Sequence, residues 1–186
     1  MFLGLYEIEL TAALRGLCKG SLRCFDIGGN IGYDALVLAK LTGGDVVSVE
    51  CDDALCRDIE ANASLNPALM PHITVWQGFV GAESQPDRGL VTLDELTDQF
   101  FPPDLVKVDI EGAEVAALAG ASQLLESPAR PSWIIEVHSA ELEEECVAVL
   151  AGAGYHPQIV DHRRWLPDYR PAEHNRWIIA ARPRCR

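Results

Sequence analysis

A short apolar strand at residues 22–27 runs directly into Gly28-Gly29-Asn30-Ile31-Gly32, and few architectures accommodate that junction. Gly28 allows a tight turn after the strand, and Gly32 allows the next helix to pack close to the sheet. Residues 33–41 read as an apolar helix closed by Thr42-Gly43-Gly44. A β-branched strand, Val46-Val47-Ser48-Val49, follows and ends in Glu50. Strand, glycine turn, helix and strand together make the opening unit of an open α/β sheet, which binds ligands at the carboxyl ends of its strands.

The rest of the chain keeps this alternation. Residues 53–66 form an amphipathic helix stopped by Pro67, and residues 72–76 a third strand that residues 78–81 extend or end. Residues 82–90 are a polar loop, and residues 91–101 a helix that Thr92 or Asp94 can cap. Strands at 105–110, 131–137 and 155–160 alternate with helices at 113–125 and 141–153. A charged, aromatic loop at 161–173 leads to a last strand at 176–180. The expected fold is α/β: a three-layer, open, mostly parallel twisted sheet with helices on both faces and a C-terminal antiparallel hairpin. One domain spans 1–186, with a helical or mixed lead-in at 1–21 and a loose tail at 182–186.

Composition removes several function classes. The chain has 186 residues, with 28 acidic against 15 basic, a formal charge of -13. Such a surface repels nucleic acid backbones and anionic membranes, so neither is an expected partner. The six cysteines show no zinc-like spacing and read as free thiols in a reducing compartment. Glu7 and Glu9 interrupt the apolar start and no run reaches membrane-spanning length, so a cytoplasmic protein is expected. Composition indicates no oligomeric state.

The glycine loop is selective about its ligand. A dinucleotide loop needs glycine at 28, 30 and 33, where this chain has Gly28, Asn30 and Tyr33, and no Gly-Lys-Ser/Thr phosphate loop is present. Asp26 stands on the floor of the loop, where it would repel a pyrophosphate and attract an ammonium. Glu50 ends the second strand, placed to accept hydrogen bonds from a ribose diol. Ribose, a cationic amine and no phosphate describe S-adenosylmethionine. The competing readings are a loop-ordering carboxylate at Asp26 and a solvated loop acid at Glu50.

Several segments carry a family resemblance. These are Gly4-Leu5-Tyr6-Glu7, Asp26 to Gly32, Glu50, Asn62 with Asn66, and Thr92-Leu93-Asp94. The strongest is Lys107-Val108-Asp109-Ile110-Glu111-Gly112-Ala113-Glu114, followed by Leu118-Ala119-Gly120-Ala121 and by Glu136 with His138. In combination they resemble the FkbM-type family of class I, S-adenosylmethionine-dependent methyltransferases. The resemblance implies methyl transfer to a hydroxyl oxygen, often on a sugar or secondary metabolite. It implies cofactor contacts from Asp26, Gly28, Gly29, Asn30, Gly32 and Glu50, with adenine near Phe79 and Val80. Two departures are Gly29, where such families often have alanine, and Cys51, where they often have proline.

Candidate chemistry gathers at the later strand ends. Asp109 ends the fourth strand, and Lys107 lies two residues earlier on the same face, where it would pair with an acid or lie against the sheet edge. Glu136 and His138 end the fifth strand on one side. His138 is the candidate general base, because its intrinsic pKa lies near neutrality. Glu136 would orient the imidazole or bind a substrate hydroxyl. Asp109, Glu111, Glu136 and His138 could alternatively gather Mg²⁺ or Mn²⁺. Glu111 is a candidate substrate contact, as are Trp165 and Tyr169 in the 161–173 loop. The bland alternatives are helix N-terminal acids at Glu111 and Glu114, a capping or packing histidine at 138, and a surface loop at 161–173.

The expected activity is therefore O-methylation of a small hydroxylated acceptor. The alternatives are a cofactor-binding module without turnover, an interaction surface on a degenerate fold and, less favoured, a nicotinamide-dependent oxidoreductase. Nucleic acid N-methylation is disfavoured by the charge and by the lack of an Asn/Asp-Pro-Pro-Tyr/Phe sequence.

Overall fold

The computed structural model describes residues 14–18, 20–128, 130–160, 174 and 176–182. In chain order the elements are β1 (Cys24–Ile27), α1 (Tyr33–Thr42), β2 (Val46–Glu50), α2 (Asp53–Ser64), β3 (Ile73–Gln77), β4 (Phe79–Val80), β5 (Leu90–Val91), α3 (Leu93–Gln99) and β6 (Leu105–Val108). They continue with α4 (Glu114–Ala119), α5 (Ser122–Glu126), β7 (Ser132–Val137), α6 (Ala140–Gly152), β8 (Gln158–Val160) and β9 (Arg176–Ala180). Seven strands form one sheet in the order β3-β2-β1-β6-β7-β9-β8. The first five pair in parallel, and β9 enters antiparallel to both β7 and β8. The expected hairpin is present, with its second strand inserted beside β7.

Strand periodicity divides the core into two layers. Phe25, Ile27, Val47, Val49, Val106, Val108 and Ile135 face one way, against Leu93, Leu96, Leu118 and Leu150 from α3, α4 and α6. Cys24, Val46, Leu105 and Ile134 face the other way, against Ala35, Leu38 and Ala39 of α1 and Leu14. By the same alternation Asp26, Ser48, Lys107 and Glu136 fall on the α1 face. The strands are covered on both sides, so these four are buried polar groups inside an apolar sheet.

Caps mark the helix starts. Asp52 accepts hydrogen bonds from the amides of Ala54 and Leu55 at the head of α2. Thr92 caps α3 in a reciprocal box with Glu95. Asp94, the other candidate cap, instead accepts from the amides of Gln123 and Leu124 and caps α5. The single helix expected over 113–125 is therefore two helices. They break at Gly120, where an added Cβ would lie 2.1 Å from the carbonyl oxygen of Gly81. The expected 82–90 loop runs into β5, which pairs with β4 in a two-strand ladder. Gly32 also differs from expectation: its close neighbour is Ile59 of α2, about 3 Å from an added Cβ, and not the sheet. Among the described residues no helix is long and apolar enough to cross a membrane.

Candidate active site

The carboxyl ends of β1, β2 and β6 surround a cavity of about 410 Å³, within the range of small-molecule sites (roughly 300–1,000 Å³). Of the expected residues, Gly28, Asn30, Glu50, Phe79, Val80, Asp109 and Glu111 line it. Its described lining includes four acids, Glu50, Asp52, Asp109 and Glu111, and no lysine or arginine.

Glu50 is built in. Its Oε2 accepts the amide of Asn30 at 2.8 Å, and its Oε1 accepts the amides of Cys51 at 2.8 Å and Asp52 at 3.0 Å. Asn30 takes φ 49°, the left-handed region that asparagine enters more readily than most residues, and its amide points at the carboxylate. A carboxylate oxygen has two lone pairs, so acceptor capacity remains for a ligand. The solvated-loop reading of Glu50 does not match this geometry. Phe79 stays 53% exposed while lining the cavity, an apolar ring left open at its wall.

Close approach explains the glycines. Gly28 has φ 82°, and an added Cβ would lie 1.8 Å from the carbonyl oxygen of Asp109. At Gly29 an added Cβ would lie 2.2 Å from Ser48 Oγ. The loop thus lies directly against β2 and the end of β6.

Asp26 is placed differently from expectation. It is fully buried behind the loop and does not line the cavity. It accepts from Ser48 Oγ at 2.9 Å, and Lys107 Nζ lies 3.3 Å from its other oxygen. The ammonium it meets is the protein's own. Register brings this about, because Asp26 pairs directly with Ser48 on one side and Lys107 on the other. Lys107 also reaches Asp34 at 3.1 Å and Asp109 at 3.6 Å, and donates to the Gly28 carbonyl at 3.1 Å. Burial alone would push the Lys107 pKa down, but the three carboxylates hold it well above the ordinary lysine range. Burial pushes Asp26 up to about 6, against the pull of Lys107, because one ammonium is shared among three acids.

The second cluster stands where β6 and β7 end. His138 Nδ1 lies 2.9 Å from Glu114 Oε1, and His138 Nε2 lies 3.6 Å from Asp109 Oδ1. Glu136 is buried, and burial followed by the charge and hydrogen bond of Asp109 raises its pKa to about 7. Glu136 thus keeps its proton up to near neutrality. Of the two roles expected for Glu136, orienting the imidazole or binding a substrate hydroxyl, the first falls to Glu114, whose carboxylate meets His138 Nδ1. Neither Glu136 nor His138 lines the cavity itself; Asp109 connects them to it. One ligand atom from each of Asp109, Glu136 and His138 lies within 4.8 Å of the others, so the divalent-ion alternative retains a geometry, without Glu111. Trp165 and Tyr169 lie outside the described residues.

Sequence reading gives Glu114 only a helix-terminus role and passes over Asp34. A signal existed for both. Glu114 is three and four residues before Ala117 and Leu118, and Asp34 is four before Leu38, so each acid shares the buried face of its helix. Cys51 lines the cavity beside Glu50. Burial, then the Glu50 carboxylate, pushes its thiol up, so it stays protonated.

Strand order, parallel pairing and the inserted antiparallel strand define a class I methyltransferase fold, with its cavity at the expected strand edge. A model of the methyltransferase FkbM domain matches residues 26–173, and the chain belongs to that family. Among solved structures, methyltransferase FkbM from Methylobacillus flagellatus is similar at 21% identity and TM-score 0.71, over 88% of this chain and 45% of that one. This chain therefore spans less than half of that protein. A precorrin-6Y C5,15-methyltransferase from Geobacter metallireducens is similar at 14% identity and TM-score 0.65, over 94% of this chain and 85% of that one. A TehB-like SAM-dependent methyltransferase from Corynebacterium glutamicum is similar at 14% identity and TM-score 0.58, over 92% and 86%. At these identities the likeness concerns fold. No curated protein matches the chain.

Proposed function

We propose that this domain transfers a methyl group from S-adenosylmethionine to a hydroxyl oxygen of a small acceptor, a sugar or a secondary metabolite, with His138 as general base. The observation that carries the reading is the acid-lined cavity, in which an amide-held Glu50 stands with three other carboxylates and no described lysine or arginine. Such a wall suits a ribose diol and a cationic amino acid end, and disfavours the two phosphates of a nicotinamide dinucleotide. When bound, S-adenosylmethionine supplies a methyl carbon already activated by its sulfonium.

The chain's own residues do the rest. The remaining lone pair on Glu50 Oε2 accepts a ribose hydroxyl, and the exposed ring of Phe79 offers adenine a flat apolar face. Asp109 and Glu136 hold the acceptor hydroxyl near the cavity's inner end, and His138 Nε2 receives its proton as the oxygen attacks. Glu111 stands at the cavity wall as a further acceptor contact.

Calorimetry tests the cofactor half. S-adenosylmethionine and S-adenosylhomocysteine should both bind, and Glu50→Ala should weaken them roughly 10–100-fold, the loss of hydrogen bonds to a charged acceptor. Tight binding of NADH at this turn, with neither sulfur nucleoside bound, would sink the reading. Cofactor binding without methyl incorporation across a panel of hydroxylated acceptors would favour the binding-module alternative.

The pH dependence follows from His138. Its hydrogen bond to Glu114, then the charges of Asp109 and Glu136, outweigh burial and raise its pKa above the ordinary 6.5. Only the neutral ring accepts a proton. Methyl transfer should therefore rise with pH through a midpoint above 6.5 and then level off. For stability the sign is opposite. The His138 contribution is complete below its unfolded pKa and is lost as pH rises through the folded one. A methyl-transfer rate that falls steadily from pH 6 to 8 would contradict the assignment.

A further inference from the structure

We infer that Glu114 is the positioning residue of this site: it holds the proton of the neutral His138 ring on Nδ1 and leaves Nε2 bare toward Asp109 and Glu136. The inference rests on His138 as the base only for its purpose, since the tautomer can be read without turnover.

The geometry is specific. Glu114 is the first residue of α4 and is fully buried. Its carboxylate makes the one hydrogen bond to the His138 ring among the described residues, at 2.9 Å. The opposite nitrogen is 3.6 Å from Asp109, beyond hydrogen-bond length. Glu114 is in turn anchored from the backbone, because the Gly112 amide donates to both of its oxygens at 3.1 Å. That amide points back at the helix because Glu111 and Gly112 take φ 39° and 101°, a left-handed turn that Gly112 allows at little cost.

A buried carboxylate with two backbone-directed contacts and one imidazole contact has little freedom to move. It therefore dictates which ring nitrogen carries the proton, as the buried acid does in a Ser-His-Asp triad. The groups facing this pair are Asp109 from the β6 end, Glu136 from β7 and Cys146 from α6. Burial pushes Glu114 up, but the His138 and Gly112 hydrogen bonds outweigh it and lower its pKa, so it remains ionised while the histidine titrates. The bare nitrogen then stands on the Asp109 side of the ring, toward the cavity, where it can accept from an acceptor hydroxyl.

Long-range nitrogen–proton NMR of the imidazole rings tests this on the whole chain, in EDTA and without cofactor or acceptor. His138→Ala assigns the signal. In the wild type the deprotonated ring should show Nδ1 protonated and Nε2 bare, with a midpoint above 6.5. In Glu114→Gln, with the negative charge removed and the shape kept, the midpoint should move to lower pH. An Nε2-protonated tautomer in the wild type would overturn the inference, and that measurement needs no variant to fold. An unmoved midpoint in a folded Glu114→Gln would also overturn it. If the tautomer is as stated but His138→Ala keeps full methyl transfer, the base assignment fails and the positioning contact stands.

Discussion

Lys107→Met should lower stability by about 3–5 kcal/mol, the usual cost of removing one partner from a buried ion cluster. The methionine keeps the apolar stem and removes only the ammonium. Asp26, Asp34 and Asp109 then face one another without their shared cation, and the Gly28 carbonyl loses its donor. Lys107 is only 2% exposed, so solvent screens this cluster very little. In thermal unfolding the loss corresponds to roughly 6–20 °C for a chain of this size. The difference should shrink as pH falls toward about 6, because without the pull of Lys107 the variant's Asp26 takes up a proton at higher pH than the wild type's does, and the repulsion eases. Asp26→Asn added to Lys107→Met should recover part of the loss for the same reason. Equal stability of Lys107→Met and wild type at pH 7.5 would mean that the cluster is solvated in a way these distances do not describe.

His138→Ala should reduce methyl transfer by about 10²–10⁴-fold, the range for a general acid–base group. The affinity for S-adenosylmethionine should remain, because His138 does not line the cavity where Glu50 and Phe79 stand. The ring is only partly buried, so its loss should leave a folded protein. Measuring both quantities separates a base from a cofactor contact. Loss of affinity with an unchanged rate at saturation would place the residue in binding. An unchanged rate with unchanged affinity would remove it from the mechanism.

The two effects arise in and beside one polar row. On the α1 face of the sheet, Ser48, Asp26, Lys107 and Glu136 come from four different strands. Inside a sheet covered on both sides, each needs a partner at the same level, and parallel register supplies it. Ser48 and Lys107 flank Asp26, and Asp109 meets Glu136 one level higher. The structural end of the row holds the glycine loop to the strand tips, and the reactive end faces the cavity through Asp109.

Much of this was legible from local signals. The mostly parallel sheet followed from alternating strand and helix patterns, because side-chain period and glycine stereochemistry are properties of short segments. The glycine loop and the acid at 50 were legible for the same reason: a tight turn and a strand-end carboxylate need no distant residue to be recognised. Pairings across sequence distance were not legible. Lys107 was seen to want an acid, but choosing Asp26 required the register of β1 against β6. Glu114 was read as a helix-terminus acid, and its bond to a histidine 24 positions away exists only because α4 and the end of β7 meet at one edge. The break at Gly120 likewise depends on Gly81, brought close by the small β4–β5 ladder. The sequence by itself determined the layers, the loop and the location of the binding edge. The tertiary structure decided which charge meets which, because pair energies depend on distances that only packing sets.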